Sequence, residues 1–409
     1  MRTAIRWQLA AILLAVWTAV SPTYARGRKA CPQPPCRTPW SGIYPTVLTP
    51  FLCEGGVDTV SLERQIKHEL CGGVHGLLVL GTIGEGQYVD EQERAQVITT
   101  AVRAACKRPV VVGIHTCDVD VAKQQLLQAR ELGGAAVLVK YANNPDASAP
   151  EVLGFMTALS DLNALPIFYY HYPSQTGLRL SAATIASILD LPNVVGIKES
   201  TLDLREVQAH MGLVCDRGKV FLSGTALNLT QFMDLGGQGA MCPEAVLLPG
   251  PTVQAYDAYL AGNRGEARAI QKELFAILPI LSSKSTPTLI ARPLFMAAED
   301  RKLPLPMGND HPQARLKYAL NCLGVPTLPT VKCPLPPLTR RDKRHVDAAV
   351  CRIKDMDWGL VGCKVPPVPL RVCPTDDEGG MLLRSGSFQL GPGVGRDLLR
   401  SQGDGRSGF

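Results

Sequence analysis

Residues 110–139 read VVVGIHTCDVDVAKQQLLQARELGGAAVLV, and this stretch holds one complete structural repeat. The apolar run at 110–114 has the length and the β-branched composition of a buried strand. Residues 119–132 carry apolar side chains at helical spacing, and a second short apolar run follows at 136–139. Two apolar strands joined by a helix predict a parallel sheet that is covered on both faces.

The same unit recurs from Ser41 to about Gly262. Strands are expected at 44–48, 76–80, 110–114, 136–139, 166–170, 194–198, 220–222 and 239–242. Eight such units favour a closed (β/α)8 TIM barrel of the α/β class over an open sheet. No Gly-x-Gly-x-x-Gly follows the first strand, which argues against a dinucleotide-binding fold.

The barrel is expected to span residues 41–262 of a chain of 409 residues. Further helical patterns at 266–281, 287–299, 313–323 and 340–354 predict a C-terminal helical appendix over 263–356. Residues 357–409 are rich in Gly, Ser, Pro and Arg, with no helical or strand period. We interpret them as a low-complexity, disordered tail.

The N-terminus has the pattern of a signal peptide. Arg2 and Arg6 precede an apolar run at 9–20, and the small-x-small sequence at 23–25 would allow cleavage after Ala25. We therefore expect a signal peptide at 1–25, a linker at 26–40 and a secreted or periplasmic protein. An organellar transit peptide, or a cytoplasmic protein whose start codon lies too far upstream, remains the alternative.

Charge and composition exclude several classes of protein. Hydrophobic residues make up 46% of the chain and charged residues 19%, which excludes a wholly disordered or fibrous protein. Six of the 42 basic residues precede Glu54, the first acidic residue, so 36 basic residues face 36 acidic ones in the remainder. This balance argues against a nucleic-acid partner. The absence of CxxC and of paired Cys/His spacing argues against a zinc site.

In a TIM barrel the chemistry lies where the strands end, which makes Lys198 the first candidate. It ends the run NVVGIK (193–198), so its stem leaves a buried strand. Burial disfavours the ammonium form, and a free amine can form a Schiff base with a carbonyl. A structural ion pair with a carboxylate is the alternative role.

Two more groups are expected beside this amine. Tyr170 ends the preceding strand, where a phenol could transfer the protons that imine formation requires; otherwise it is an aromatic core residue. The turn GTIGE (81–85) follows the second strand, and its glycines can present backbone N–H groups together with the Thr82 hydroxyl. Such a turn suits a carboxylate, although an ordinary loop has the same pattern.

Taken together, these stretches resemble the pyruvate-dependent Schiff-base lyases of the dihydrodipicolinate synthase and N-acetylneuraminate lyase family. The resemblance covers about residues 40–355. It is carried by SGIYPTVLTPF (41–51), GTIGE (81–85), YYHYPSQTG (169–177), VGIKES (195–200), Gly224 and PLPPLT (334–339).

The resemblance implies a role for each matching residue. Lys198 would form the imine, and Tyr170 would be the proton-transferring tyrosine. Thr82 and the backbone around Ile83 would bind the pyruvate carboxylate, and the carbonyl of Met241 would face the site. The implied partners are pyruvate, or another 2-oxo acid, and an aldehyde. The implied assembly is a homotetramer or homodimer, and no metal or organic cofactor is required.

This chain differs from the synthases at positions that bind the second substrate and at positions that form the proton relay. Synthases carry a second threonine at the position of Ile83 and a relay tyrosine at the position of Ala142. Tyr141 lies one residue earlier, and a shift of one residue turns a strand side chain to the opposite face. Synthases also bind the carboxylate of the second substrate with an arginine where this chain has Gln175. His171 is the candidate replacement for the missing relay.

The sequence therefore predicts a class I aldolase-type lyase that resembles dihydrodipicolinate synthase. An N-acetylneuraminate lyase-like or 4-hydroxy-2-oxoglutarate aldolase-like enzyme is the alternative. A third hypothesis follows from the lost hydroxyls at Ile83 and Ala142, namely a catalytically weakened family member that only binds a 2-oxo acid.

Overall fold

The computed structural model describes residues 38–201, 204–282 and 311–356. Eight parallel strands form the centre in the order β1-β8-β7-β6-β5-β4-β3-β2, and a bridge between Thr46 and Leu78 joins the two ends. The (β/α)8 TIM barrel predicted from the sequence is thus confirmed. The strands are β1 (Gly42–Pro45), β2 (Leu77–Val79), β3 (Val110–His115), β4 (Ala136–Lys140), β5 (Ile167–His171), β6 (Val194–Glu199), β7 (Val220–Ser223) and β8 (Gly239–Cys242).

Helices connect the strands and surround the barrel. Those between β1 and β8 are α1 (Thr59–Cys71), α2 (Glu91–Ala104), α3 (Val119–Glu131), α4 (Ala149–Ser160), α5 (Pro173–Thr176), α6 (Ala182–Leu189), α7 (Leu204–Cys215) and α8 (Leu229–Asp234). After β8 come α9 (Glu244–Leu247), α10 (Pro249–Leu260), α11 (Arg264–Leu274), a 3-10 turn (Phe275–Ile277), α12 (Leu278–Leu281), α13 (Gln313–Cys322) and α14 (Arg340–Asp355).

Several helices begin at a residue whose side chain caps the first turn of the helix. At α2 the Asp90 carboxylate accepts from the backbone N–H of Glu93, while the Glu93 side chain accepts from the backbone N–H of Asp90. This reciprocal pair satisfies two N–H groups that have no partner within the helix. The same capping box begins α4 at Ser148 and α14 at Thr339.

The apolar side chains form two cores. The inner core fills the barrel and consists of Tyr44, Leu78, Val111, Ala136, Leu138, Phe168, Tyr170, Val220, Leu222 and Met241. The outer core packs the opposite faces of the strands against the helices. Side chains alternate between the two, so parity along a strand decides whether a residue faces the barrel interior or the helices.

The helices after the barrel confirm part of the predicted appendix. The helices predicted at 313–323 and 340–354 are present as α13 and α14. The single helix predicted at 266–281 is instead α11, a 3-10 turn and α12, because Pro279 interrupts the regular pattern of backbone N–H donors. The predicted helix at 287–299, the signal peptide and the tail at 357–409 lie outside the described residues.

Two further features concern the length of the helices and the cysteines. Within the described ranges, the structure contains no helix that is long and apolar enough to cross a membrane. Cys53, Cys71 and Cys215 are disulfide-bonded.

Candidate active site

Lys198 reaches the C-terminal end of the barrel from β6. Its neighbours in the parallel register are Tyr170 on β5 and Leu222 on β7, and both belong to the inner core. The lysine side chain is 3% exposed, and its Nζ atom lies 4.3 Å from the centroid of the Tyr170 ring. The amine therefore lies inside the mouth of the barrel and not on its surface.

This environment makes Lys198 an unusually acidic ammonium group. Burial lowers its pKa to about 7, although the nearby Cys242 and Glu244 act in the opposite direction. Relative to an ordinary lysine, a shift of that size raises the fraction of free amine at neutral pH by roughly a thousandfold. Lys198 is thus available as a nucleophile near pH 7.

Tyr170 lies beside this amine and has polar contacts of its own. Its hydroxyl accepts a hydrogen bond of 3.4 Å from Ser200, and its ring stacks on Tyr172 with the centroids 5.5 Å apart. Burial raises the pKa of Tyr170 to about 12, while hydrogen bonds with Ser200 and Thr82 partly offset this. Tyr170 consequently carries its proton at neutral pH and can donate it.

The turn that contains Thr82 is held from both sides. Thr49 donates to the carbonyl of Gly84 at 2.6 Å, and Gln313 on α13 donates to the carbonyl of Thr82 at 3.2 Å. Below the turn, Glu85 forms a fully buried ion pair with Lys317. The C-terminal helices therefore fix the loop beside Lys198 and Tyr170.

A second lysine, Lys140, lies at the same end of the barrel. It ends β4 and is 1% exposed. Its Nζ atom donates to Gln175 Oε1 at 2.5 Å and to Thr82 Oγ1 at 3.2 Å. Burial and the neighbouring Lys198 lower the pKa of Lys140 to about 7. The site thus contains two buried amines, and the charge of Lys198 disfavours the protonated form of Lys140.

The structure brings Lys198, Tyr170, Thr82 and Gln175 into one connected group. Met241 lies in the inner core opposite Tyr44, with which it pairs in register. Ile83 is partly buried and packs against the outer core. Its side chain is apolar and offers no hydroxyl for a relay.

Tyr141 faces away from the amine. Tyr141 packs edge-on against Phe155 of α4, with ring centroids 5.0 Å apart, and belongs to the outer core. Parity turns it away from Lys198, while the neighbouring Ala142 is buried and has no hydroxyl. Tyr141 therefore lies outside the group around Lys198.

His171 also lies on the outer face, in a cluster behind the site. Its Nε2 atom lies 3.2 Å from Glu206 Oε1, and its ring meets the ring of His210 edge-on. His210 in turn hydrogen-bonds Glu199 at 2.8 Å. Nitrogen and oxygen atoms of His171, Glu199 and His210 lie within 4.8 Å of one another. His171 therefore contacts carboxylates and not the Tyr170 hydroxyl.

Sequence reasoning missed three residues of the site: Lys140, Tyr172 and Glu244. The predicted fourth strand ended at Val139, which left Lys140 in a loop. Lys140 could nonetheless have been predicted to face the barrel interior. It lies two residues after Leu138, an inner-core residue, and residues two apart in a strand face the same side. Glu244 is fully buried and accepts hydrogen bonds from Thr225. It begins α9, directly after β8, and no sequence pattern singled it out.

The chain is similar to known proteins over most of its length. Residues 39–309 match the sequence model of the dihydrodipicolinate synthetase family. The chain is 30% identical over 290 residues to 4-hydroxy-tetrahydrodipicolinate synthase of Methanospirillum hungatei JF-1, which covers 69% of this chain and 99% of the relative. A similar enzyme of Hyphomonas neptunium is 32% identical over 57% of this chain and 80% of its own length.

Solved structures show the same relationship. Dihydrodipicolinate synthase of Thermotoga maritima superposes with a TM-score of 0.66 at 26% identity, over 79% of this chain and all of that chain. A prophage protein of the family from E. coli K12, solved in complex with pyruvate, shares the fold at 21% identity with a TM-score of 0.66 over 77% of this chain and 99% of its own. By its sequence over two thirds of its length and by its fold, this chain belongs to the dihydrodipicolinate synthetase family.

Proposed function

We propose that this protein is a class I aldolase-type lyase that joins pyruvate, or another 2-oxo acid, to an aldehyde, or cleaves the product, through an imine on Lys198. One observation carries the proposal: a buried lysine with a pKa of about 7 lies against a phenol at the C-terminal end of a TIM barrel. Membership of the family and the name 4-hydroxy-tetrahydrodipicolinate synthase of the relatives support the same reaction class.

The proposed reaction begins with attack of the neutral Lys198 amine on the keto carbon. The resulting carbinolamine loses its hydroxyl as water, with the Tyr170 hydroxyl supplying the proton. The iminium then accepts the electron pair when a proton leaves the adjacent carbon, and the enamine so formed attacks the aldehyde carbon. Hydrolysis of the product imine returns the Lys198 amine.

Thr82 and the backbone of the 81–84 turn are proposed to bind the carboxylate of the 2-oxo acid. The glycines of this turn leave backbone N–H groups accessible, and the Thr82 hydroxyl lies within hydrogen-bonding distance of Lys140. A carboxylate at this turn would lie beside Tyr170, because Thr82 also hydrogen-bonds that residue. Such a position would hold the keto carbon near the Lys198 amine.

Imine trapping tests the proposal. The protein is incubated with pyruvate and borohydride, and the adduct is measured by intact mass and assigned by peptide mapping. We expect one reduced pyruvyl group on the peptide that contains Lys198, and none in Lys198→Arg, because arginine stays protonated and cannot attack a carbonyl. An adduct on Lys140, or no adduct in the wild type, would refute the assignment.

The aldehyde is the next unknown. Turnover of pyruvate with a panel of aldehydes distinguishes a synthase-like enzyme from an N-acetylneuraminate lyase-like or 4-hydroxy-2-oxoglutarate aldolase-like one. The replacement of two relay hydroxyls by Ile83 and Ala142 favours one further candidate, a family member that binds a 2-oxo acid without turnover. An imine that forms on Lys198 with no aldehyde consumed would identify that case.

A further inference from the structure

Lys140 is a buried cation without an anionic partner. Its Nζ atom contacts the Gln175 amide oxygen and the Thr82 hydroxyl, both of which are neutral. Among the described residues, no carboxylate lies within ion-pair distance of Lys140. An unpaired buried charge costs several kcal/mol as an order of magnitude, so buried cations in proteins are usually paired or take up an anion.

The surroundings of Lys140 increase this cost. Lys198, a second buried amine, faces it from β6, and the repulsion between the two ammonium forms lowers the pKa of Lys140 further. His115 faces it from β3, where burial and the charge of Lys140 hold the histidine pKa well below its usual range. The mouth of the barrel is therefore short of negative charge when both amines are protonated.

The partners of Lys140 have the geometry of an anion site. The Gln175 side chain uses Oε1 in its contacts with Lys140 and Thr82, which leaves Nε2 as a donor. An ammonium group from β4 and an amide group from α5 thus lie together, next to the Thr82 hydroxyl that is proposed to bind the first carboxylate. A carboxylate is the ligand that such a donor set suits.

We propose that Lys140, with Gln175, binds the carboxylate of the second substrate, so that the enzyme acts on an anionic aldehyde and on the corresponding 2-oxo dicarboxylic acid. The proposal rests on the proposed function, because Lys198 must form the imine with the 2-oxo acid while Lys140 binds the carboxylate of the second substrate. The resemblance to synthases implies that those enzymes carry an arginine at the position of Gln175. In this chain the positive charge comes from the end of β4 and not from residue 175.

A matched pair of 2-oxo acids tests the proposal. 2-Oxoglutarate and 2-oxopentanoate share the keto acid group and the chain length, and only the first has a distal carboxylate. The half-saturating concentration of each is measured by borohydride trapping, with pyruvate as the reference. We expect a preference for 2-oxoglutarate of about 10- to 100-fold, the size of a charge-assisted hydrogen bond.

Three variants assign this preference to Lys140. Lys140→Met should abolish it by weakening the trapping of 2-oxoglutarate more than that of 2-oxopentanoate or pyruvate. Lys140→Arg should keep it, and Lys140→Met/Gln175→Arg should restore part of it by returning a cation to residue 175. Equal weakening of all three acids in Lys140→Met would instead mean that Lys140 binds the carboxylate next to the keto group, and would overturn the proposal.

The pH dependence gives a second readout. The preference of the wild type should decline as the pH rises through about 7, because Lys140 loses its proton there. In Lys140→Arg the preference should persist, since arginine remains charged. A preference that is independent of pH in both proteins would contradict a role for the ammonium group of Lys140.

A measurement without imine chemistry separates this proposal from the proposed function. Glutarate has two carboxylates and no keto group, so it can bind but cannot form an imine. It should raise the melting temperature of the wild type and of Lys198→Arg, and not that of Lys140→Met. If glutarate stabilises the protein in this way but no imine is ever trapped, the proposed function fails and the anion site stands; if glutarate has no effect that depends on Lys140, the anion site fails.

Discussion

The Nζ atom of Lys198 lies 4.3 Å from the centroid of the Tyr170 ring, because the two residues are direct partners in the parallel register of β5 and β6. The face of an aromatic ring attracts a cation, and that attraction strengthens when both groups are buried. An iminium on Lys198 is a cation, whereas the free amine is neutral. The ring would therefore stabilise the intermediate relative to the free enzyme, in addition to the hydroxyl that transfers protons.

Tyr170→Phe separates these two contributions. The variant keeps the ring and loses the hydroxyl, so we expect pyruvate trapping on Lys198 to continue while kcat falls by about 10²- to 10⁴-fold. Tyr170→Leu is the matched control that removes the ring as well, and it should also weaken trapping. An unchanged kcat in Tyr170→Phe would show that another group moves the protons.

The low pKa of Lys198 predicts the pH dependence of imine formation. Because the neutral amine is the nucleophile, the rate of trapping should rise with pH through about 7 and then level off. A lysine with an ordinary pKa would give a rate that still increases near pH 9. The rate is measured at a fixed pyruvate concentration over this range, with Lys140→Arg as the control that keeps a positive charge beside Lys198. A rate that is still rising at high pH would mean that Lys198 is not desolvated in solution.

The altered relay predicts coupling between two positions. Ile83→Thr alone should not give fast turnover, because Ala142 leaves no second phenol to receive the proton. Ile83→Thr/Ala142→Tyr should raise kcat by more than the product of the two single effects, as expected for groups that act together. The measurement is a double-mutant cycle on kcat with pyruvate and the best aldehyde found. Multiplicative effects, or a large gain from Ile83→Thr by itself, would show that no coupled relay is missing.

The strands could be predicted from sequence because their signal is local. Apolar β-branched runs such as VVVGI (110–114) coincide with β3 to within one residue. Lys198 and Tyr170 could be predicted for the same reason, since each ends such a run. Lys140 was missed because the predicted strand stopped one residue early, and a charged side chain at a strand end resembles the start of a loop.

Contacts between distant segments could not be predicted from these patterns. His171 adjoins Tyr170 in the sequence, which suggested a relay, but the alternation of side chains along β5 turns it to the opposite face. The ion pair between Glu85 and Lys317 joins residues that are 232 positions apart. A periodic pattern carries no information on such a pair, and only the packing of α13 on the barrel brings it together.

This ion pair predicts a large effect on stability. Both side chains are fully buried, so Lys317→Met leaves the Glu85 carboxylate without its cation inside the protein. We expect a loss of about 3–5 kcal/mol in the free energy of unfolding, measured with urea. Glu85→Gln/Lys317→Met should lose less than Lys317→Met, because no uncompensated charge remains. A single variant as stable as the wild type would show that the carboxylate takes up a proton or finds another donor.

The cluster behind the site predicts a pH-dependent stability that depends on His171. Burial alone would lower the pKa of this histidine, but the carboxylates of Glu199 and Glu206 outweigh it and raise the pKa above its usual value. The same contact, a hydrogen bond from His171, lowers the pKa of Glu206 to about 2. Arg179 binds Glu206, and its positive charge acts against the protonation of His171. His210 competes with His171 for the Glu199 carboxylate.

The sign of the effect follows from the raised pKa. The folded protein holds the proton on His171 more tightly than the unfolded chain, so this group stabilises the fold fully below the ordinary pKa of histidine, about 6.5. The contribution is lost as the pH rises through the raised value. The difference in the free energy of unfolding between the wild type and His171→Gln should therefore be largest at mildly acidic pH and shrink in alkaline solution. His345→Gln, on α14 and outside this cluster, is the matched control. A difference that instead grows with pH would mean that burial prevails and that His171 is neutral in the folded protein.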